Sequence, residues 1–360
     1  MDDESEKNMD LSKETQVERT LLTVGKWLAV ALTVCVVMVL LTACTAKQEK
    51  AGPDKRLQVV TSLFPLYDFA RNIGRERADV SLLLPPGVEA HSFEPRPGDI
   101  LRLNRADVLV YTNAAMEPWV QDVLKGLQGR NLTVIESGRD IPVMPAREAH
   151  DHGKKPPPEG RDPGITASHD RQDGRRHDHD HGGGDPHIWL DFSNAAKMLD
   201  HILAGFIEKD PANRDFYQKN ADAYKRKLED LDRQFSGGLA GCRKRVIVQG
   251  GHFAFGYLAR RYGLGYVAVS GFSPNAEPTP AGMVRISRTL KANGLNHLFY
   301  EELLSPRVAE AIARETGASL LMLHAAHNVS KEEFERGVGF MDLMQRNLEN
   351  LKKGLQCPQP

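Results

Sequence analysis

Cysteine is scarce, with four in 360 residues, too few for a scaffold built on disulfides. Cys35 lies inside an apolar N-terminal stretch and Cys44 ends it, leaving Cys242 and Cys357 to the folded part. Charge of one sign is also missing. The net charge of −1 leaves no basic bias, so nothing suggests a nucleic-acid partner. His-Glu-x-x-His, the helical signature of a zinc hydrolase, does not occur. The most apolar run, Trp27 to Leu41, is shorter than the ~20 residues a spanning helix needs. The composition, 41% hydrophobic and 26% charged, is that of a soluble globular protein.

Lys26 precedes that apolar run, and Leu41-Thr42-Ala43-Cys44 closes it with an aliphatic residue, two small ones and a thiol. This is the pattern of a lipobox, so residues 1–44 read as an export signal whose Cys44 is acylated. Residues 45–56 are polar and read as a tether. The expected location is therefore extracytoplasmic, on a periplasmic face or cell surface, with the membrane reached through lipid on Cys44. In that oxidising context Cys242 and Cys357 become a candidate disulfide.

From Leu57 onward, strands alternate with helices. Strands are expected at residues 57–62, 80–84, 107–112, 132–136, 245–249, 265–270, 297–301 and 319–323. Such alternation predicts parallel sheets flanked by helices. Residues 193–208 carry apolar positions at helical spacing. Asp210-Pro211 opens another helix, stepping through Tyr217, Tyr224, Leu228 and Phe235 up to Gly237-Gly238. One last helix is expected over residues 331–353. The expected fold is α/β, two lobes joined by one long linking helix: residues 57–208, the linker 209–237, and residues 238–360. Residues 150–184 interrupt the first lobe. They are rich in His, Asp, Gly and Pro and nearly free of apolar residues, so they cannot offset their own ordering entropy.

Histidine is the abundant oddity. Six of thirteen fall in that interruption: His150, His152, His169, His177, His179 and His181. Clustered imidazoles read either as a low-affinity metal collector or as a solvated linker. Four others stand at structural positions. His91, His252 and His324 follow strands, and His187 precedes the amphipathic helix. Ligands of open α/β sheets bind outside the carboxyl ends of strands, so these side chains are placed to meet in the cleft between lobes. Imidazole nitrogen suits Zn²⁺ in a tetrahedral shell. A filled shell binds metal without hydrolysing anything, so no enzyme activity is expected. His201 and His297 are better explained by helix and strand packing.

Leu84-Pro85-Pro86-Gly87-Val88-Glu89-Ala90-His91-Ser92-Phe93-Glu94-Pro95, Asp185-Pro186-His187-Ile188-Trp189-Leu190, His252-Phe253-Ala254-Phe255-Gly256-Tyr257 and Ser273-Pro274-Asn275-Ala276-Glu277-Pro278 occur in this order. Together they resemble the zinc/manganese-type solute-binding proteins of bacterial ABC importers, from Leu57 to the C-terminus. The resemblance implies one metal in the interlobe cleft, His91, His187 and His252 as its first ligands, and an ABC permease as partner to a monomeric protein. Manganese-type members usually carry a carboxylate where this chain has His252, and zinc-type members often have a His-rich loop before the second ligand. The expected cargo is therefore Zn²⁺, with manganese or iron as the alternative. Some relatives have been assigned an adhesin role. Many members have Asp after the last strand, where this chain has Leu323-His324-Ala325-Ala326-His327. His324 is the preferred fourth ligand, with His327, Glu301 or a water as alternatives.

Overall fold

The protein is described from a computed structural model covering residues 56–127, 131–145, 184–272 and 278–358. The export signal with Cys44, nearly all of the tether, the six clustered histidines and residues 273–277 lie outside the described residues.

The first sheet holds β1 (Leu57–Thr61), β2 (Ala78–Leu82), β3 (Val108–Tyr111) and β4 (Thr133–Glu136), in the order β2-β1-β3-β4, every pair parallel. The second repeats that order with β5 (Val246–Gln249), β6 (Gly265–Ala268), β7 (His297–Glu301) and β8 (Ser319–Leu323): β6-β5-β7-β8, again parallel. Parallel pairing requires crossovers. In the first lobe these pass through α1 (Phe64–Gly74), α2 (Pro97–Leu103) and α3 (Val120–Gly126). After β4 comes α4 (Phe192–Lys209), capped by Asp191, whose side chain accepts from the Ser193 N–H. In each sheet the chain reverses direction beside its first strand, which opens a crevice at the carboxyl edge.

The linking helix α5 (Arg214–Ala240) has 27 residues, about 40 Å at ~1.5 Å per residue. It differs from expectation at both ends. Asp210-Pro211 opens a 3-10 turn, Pro211–Asn213, before the α-helix begins. At the other end the helix runs through Gly237-Gly238. Each glycine costs a helix about 1 kcal/mol relative to alanine. Against that, Phe235 and Leu239 are fully buried, and a side chain at Gly238 would meet Leu348 and Lys352 on the neighbouring helix. Packing of α5 on that helix and burial of its apolar stripe thus carry the helix through the two glycines.

In the second lobe α6 (Gly256–Arg261), α7 (Pro280–Asn293) and α8 (Arg307–Thr316) make the crossovers. Thr279 caps α7 by accepting from the Gly282 N–H. At α8 the capping position falls on Pro306 rather than Ser305. The expected final helix is two, α9 (Lys331–Glu335) and α10 (Phe340–Gly354). Gly337, at φ 70°, adopts a backbone conformation that ends a helix and that glycine tolerates without strain.

One apolar cluster runs through both lobes. It joins Val59 and Val110 of the first sheet, Phe192 and Phe206 of α4, Tyr217 to Leu239 of α5, Phe299 and Leu323 of the second sheet and Phe340 of α10. Smaller clusters fill the outer layer of each lobe. Arg261 of α6 adds a polar tie, donating to both oxygens of Asp232 on α5 and to Asp191 at the start of α4. Cys242, just past α5, is disulfide-bonded to Cys357 after α10. Among the described residues no helix is long and apolar enough to cross a membrane.

Candidate metal centre

The site forms where the carboxyl edges of the two sheets face each other. After β2, Pro85-Pro86-Gly87 turns the chain toward the second lobe. There the Asn328 amide donates to the carbonyls of Pro85 and Val88, and the Gly87 N–H donates to the Val329 carbonyl. The Glu89 carboxylate then accepts from the backbone N–H groups of His91 and Ser92 and from the Ser92 hydroxyl. These bonds fix the approach of His91. His187 lies at the entry to α4 and is fully buried. His252 follows β5 across Gly250-Gly251. A Cβ at Gly251 would collide with the Glu301 carboxylate, so only glycine lets this turn lie on Glu301.

These three imidazoles meet a fourth, His327. Ligand atoms of His91, His187, His252 and His327 all lie within 4.8 Å of one another. His187 Nε2 is 3.3 Å from His91 Nε2 and 3.3 Å from His252 Nε2, and His91 Nε2 is 3.4 Å from His327 Nε2. Zn–N bonds of ~2.0–2.1 Å in a tetrahedron put neighbouring nitrogens about 3.3–3.4 Å apart. These three separations match the edge length of a zinc-sized tetrahedron.

His324, the preferred fourth ligand, faces elsewhere. Its ring lies between Glu302 and Glu333, with Nδ1 3.3 Å from Glu302 Oε1 and Nε2 3.7 Å from Glu333 Oε2. As the first residue after β8 it is itself buried, with its backbone bonded to Asn347 of α10. Three further residues are needed to bring an imidazole to the cleft, and His327 is the one that arrives. Glu301 does not join the four rings. Its carboxylate contacts His252 Nδ1 from behind. His201 of α4 donates from Nδ1 to the Ser137 carbonyl, and His297 lies on β7, both apart from the group.

Two carboxylates outside the sequence-derived set orient the rings. Asp185 is completely buried. Its Oδ1 accepts from the His187 backbone N–H at 3.0 Å and lies 2.6 Å from His187 Nδ1. Glu302 Oε1 stands 3.8 Å from His327 Nδ1. With Glu301, acidic groups thus lie behind three of the four imidazoles. A carboxylate at Nδ1 keeps the proton there, aims Nε2 at the centre and raises its basicity. Trp189 closes one wall, edge-on to His187 and His327, with its indole N–H donating to the Ala325 carbonyl. Asp185 stood within a recognised segment, but neither it nor Glu302 carries a spacing that reveals its role.

The electrostatics follow from burial and this ring of acids. Burial, then the neighbouring imidazoles, hold His91 and His187 well below the ordinary imidazole range. For His252, burial acts in the same direction but is outweighed by Glu301, Glu302 and Asp185, so it moves upward. Burial raises Asp185 to about 8. Burial would also raise Glu302, but His324 and His327 overcome it and its carboxyl is held low. A cavity bounded by Val88, Glu89 and Leu303 reaches His252 and His327.

Two parallel α/β lobes on a shared long helix, with four imidazoles from both lobes converging between them, define a two-lobed metal-binding protein of the solute-binding type. The family described as zinc-uptake complex component A, periplasmic (ZnuA), matches residues 59–354, and the chain belongs to it. The high-affinity zinc uptake system protein ZnuA of Bacillus subtilis is 32% identical over 88% of this chain and 94% of its own length. The zinc-binding lipoprotein AdcA of Streptococcus pneumoniae is 31% identical over 87% of this chain, which spans only 58% of that longer protein. The Zn(II)-bound ZnuA-like domain of Streptococcus pneumoniae AdcA superposes with a TM-score of 0.67 at 29% identity, covering 84% of this chain and 99% of the domain. The laminin binding protein of Streptococcus agalactiae, described as bifunctional with adhesin and metal transporting activity, has a TM-score of 0.66 at 27% identity over 84% of this chain and 100% of its own.

Proposed function

We propose that this protein captures Zn²⁺ outside the cytoplasm and delivers it to an ABC permease for import, without catalysing a reaction. His91, His187, His252 and His327 hold the ion. The observation that carries this reading is the set of Nε2 separations of 3.3, 3.3 and 3.4 Å, the edge length of a zinc-sized tetrahedron. An all-imidazole shell also bears on the choice of ion. Nitrogen ligands favour Zn²⁺, whereas Mn²⁺ is better served by carboxylate, carbonyl and water. With four protein ligands no coordination position is left for an activated water, which separates a carrier from a hydrolase. The cavity beside Val88, Glu89 and Leu303 is the route in and out. The chain acts as a monomer, held at the membrane by lipid on Cys44, and the histidines at 150–181 gather metal for the cleft.

The test is competition between Zn²⁺ and Mn²⁺ for the purified protein, followed by elemental analysis. The expected result is one tightly held Zn²⁺ per chain, retained in excess Mn²⁺ and lost in His91→Ala and His252→Ala. Preferential retention of Mn²⁺ or iron would overturn the zinc reading. The adhesin reading rests on the likeness to the laminin binding protein. Laminin capture by metal-free and metal-loaded protein, measured side by side, distinguishes it from import.

A further inference from the structure

The segment between β8 and α9 carries two imidazoles, and only His327 enters the four-nitrogen group. We propose that His324 is a positioning residue, whose ring fixes the left-handed turn at Ala326 that directs His327 into the metal site. The inference rests on the reading of His327 as a ligand. Ala326 has φ 62°, a conformation uncommon for residues other than glycine. Something must hold it, and the Ala326 N–H donates to His324 Nδ1 at 3.0 Å. That bond takes Nδ1 as its acceptor, and Nε2 faces Glu333.

The ring doing the holding is itself fixed. His324 is 2% exposed. Its backbone N–H donates to Asn347 Oδ1 at 2.7 Å, and its carbonyl accepts from Asn347 Nδ2 at 2.8 Å. Glu333, beside Nε2, is paired with Arg346 of α10 at 2.9 Å. On the far side of the turn, Ala325 donates its N–H to Glu302 and accepts from Trp189. Glu302 thus touches the turn that His324 stabilises and stands behind the His327 ring. The second histidine of His-Ala-Ala-His is a ligand because the first holds the chain in a shape alanine seldom adopts.

The two roles for His324 separate by rescue. His324→Leu removes the acceptor. It is expected to weaken Zn²⁺ binding, measured by chelator competition, by about 10- to 100-fold, the usual range for residues that orient ligands. It should also shift the visible spectrum of the Co²⁺-loaded protein toward that of His327→Ala. Glycine adopts the turn without help, so adding Ala326→Gly to His324→Leu is expected to restore both affinity and spectrum. His324→Asn, which offers an acceptor oxygen at similar reach, should behave likewise. A direct ligand could not be rescued by glycine at another position. Unchanged affinity in His324→Leu, or a double variant as weak as the single one, overturns the proposal. Should His324→Leu fail to fold, Ala326→Val, which disfavours the turn while leaving His324 intact, must produce the same Co²⁺ shift. Unaltered Zn²⁺ affinity in His327→Ala would defeat the ligand assignment itself, which distinguishes that failure from this one.

Discussion

Asp185→Asn isolates the contribution of one buried charge to the metal site. The substitution keeps the shape of the side chain and an oxygen within reach of His187 Nδ1, which stands 2.6 Å from Asp185 Oδ1. What is lost is the charge. A hydrogen bond to a charged group contributes roughly 1.5–3 kcal/mol and a neutral one roughly 0.5–1.5, so about 1–1.5 kcal/mol disappears. At ~1.4 kcal/mol per decade, Zn²⁺ affinity should fall about tenfold above about pH 8, where Asp185 is already ionised in the metal-free protein. Asp185→Ala should cost far more, because it leaves the His187 backbone N–H and Nδ1 both buried without a partner. The pH profile sharpens the test. Burial raises Asp185 to about 8, so at pH 7 the metal-free protein holds a proton there. Zinc on His187 Nε2 favours the ionised carboxylate at Nδ1, so binding releases that proton and affinity rises with pH up to about 8. Asparagine has no such proton, and the slope of log affinity against pH between 6 and 8 should drop by about one. Chelator competition across that range measures both effects. An Asn variant within twofold of the unaltered protein and with an unchanged slope would refute the role assigned to Asp185.

Other outcomes follow from the same geometry. Zinc should be released as pH falls, because protonated imidazole cannot coordinate. His252, shifted upward, competes first, and His91 and His187, shifted downward, take up protons only at lower pH, so retention followed from pH 8 to 4 should fall gently and then steeply. A linear loss with no steepening would contradict that order. Replacing Cys242 and Cys357 by serine opens a loop with a sequence separation of 115. It should lower stability by about 2–5 kcal/mol, read by denaturant unfolding of the metal-free protein, with zinc stoichiometry unchanged.

Most of the fold was legible because parallel strands buried on both faces carry a strong apolar signal. β7 and β8 fall on the expected residues, and β5 and β6 differ only at their ends. The departures have local causes. Nothing at Gly237-Gly238 reveals that α10 packs there and lets α5 continue, whereas Gly337-Val338-Gly339 does end a helix, a stop that the helical spacing on either side outweighs. Three of the four converging imidazoles, His91, His187 and His252, could be picked out because each stands after a strand or before a helix within a recognised segment. The fourth could not. His324 and His327 are both histidines near the same strand end, and the choice depends on a left-handed backbone at an alanine, which no residue type announces. Asp185, Glu301 and Glu302 face the imidazoles through contacts between distant segments, so only the folded chain shows which ring each one serves.

The apolar cluster that passes without interruption from the first sheet through the linking helix to the second limits how cargo can leave. Swinging the halves apart as rigid shells would wet that whole interior. Outside that framework are the short loop stretches bearing His91 and His327, tied to each other by Asn328 and Val329. A transporter that unloads this carrier would therefore have to pry those stretches apart at the rim, leaving the framework beneath them unmoved.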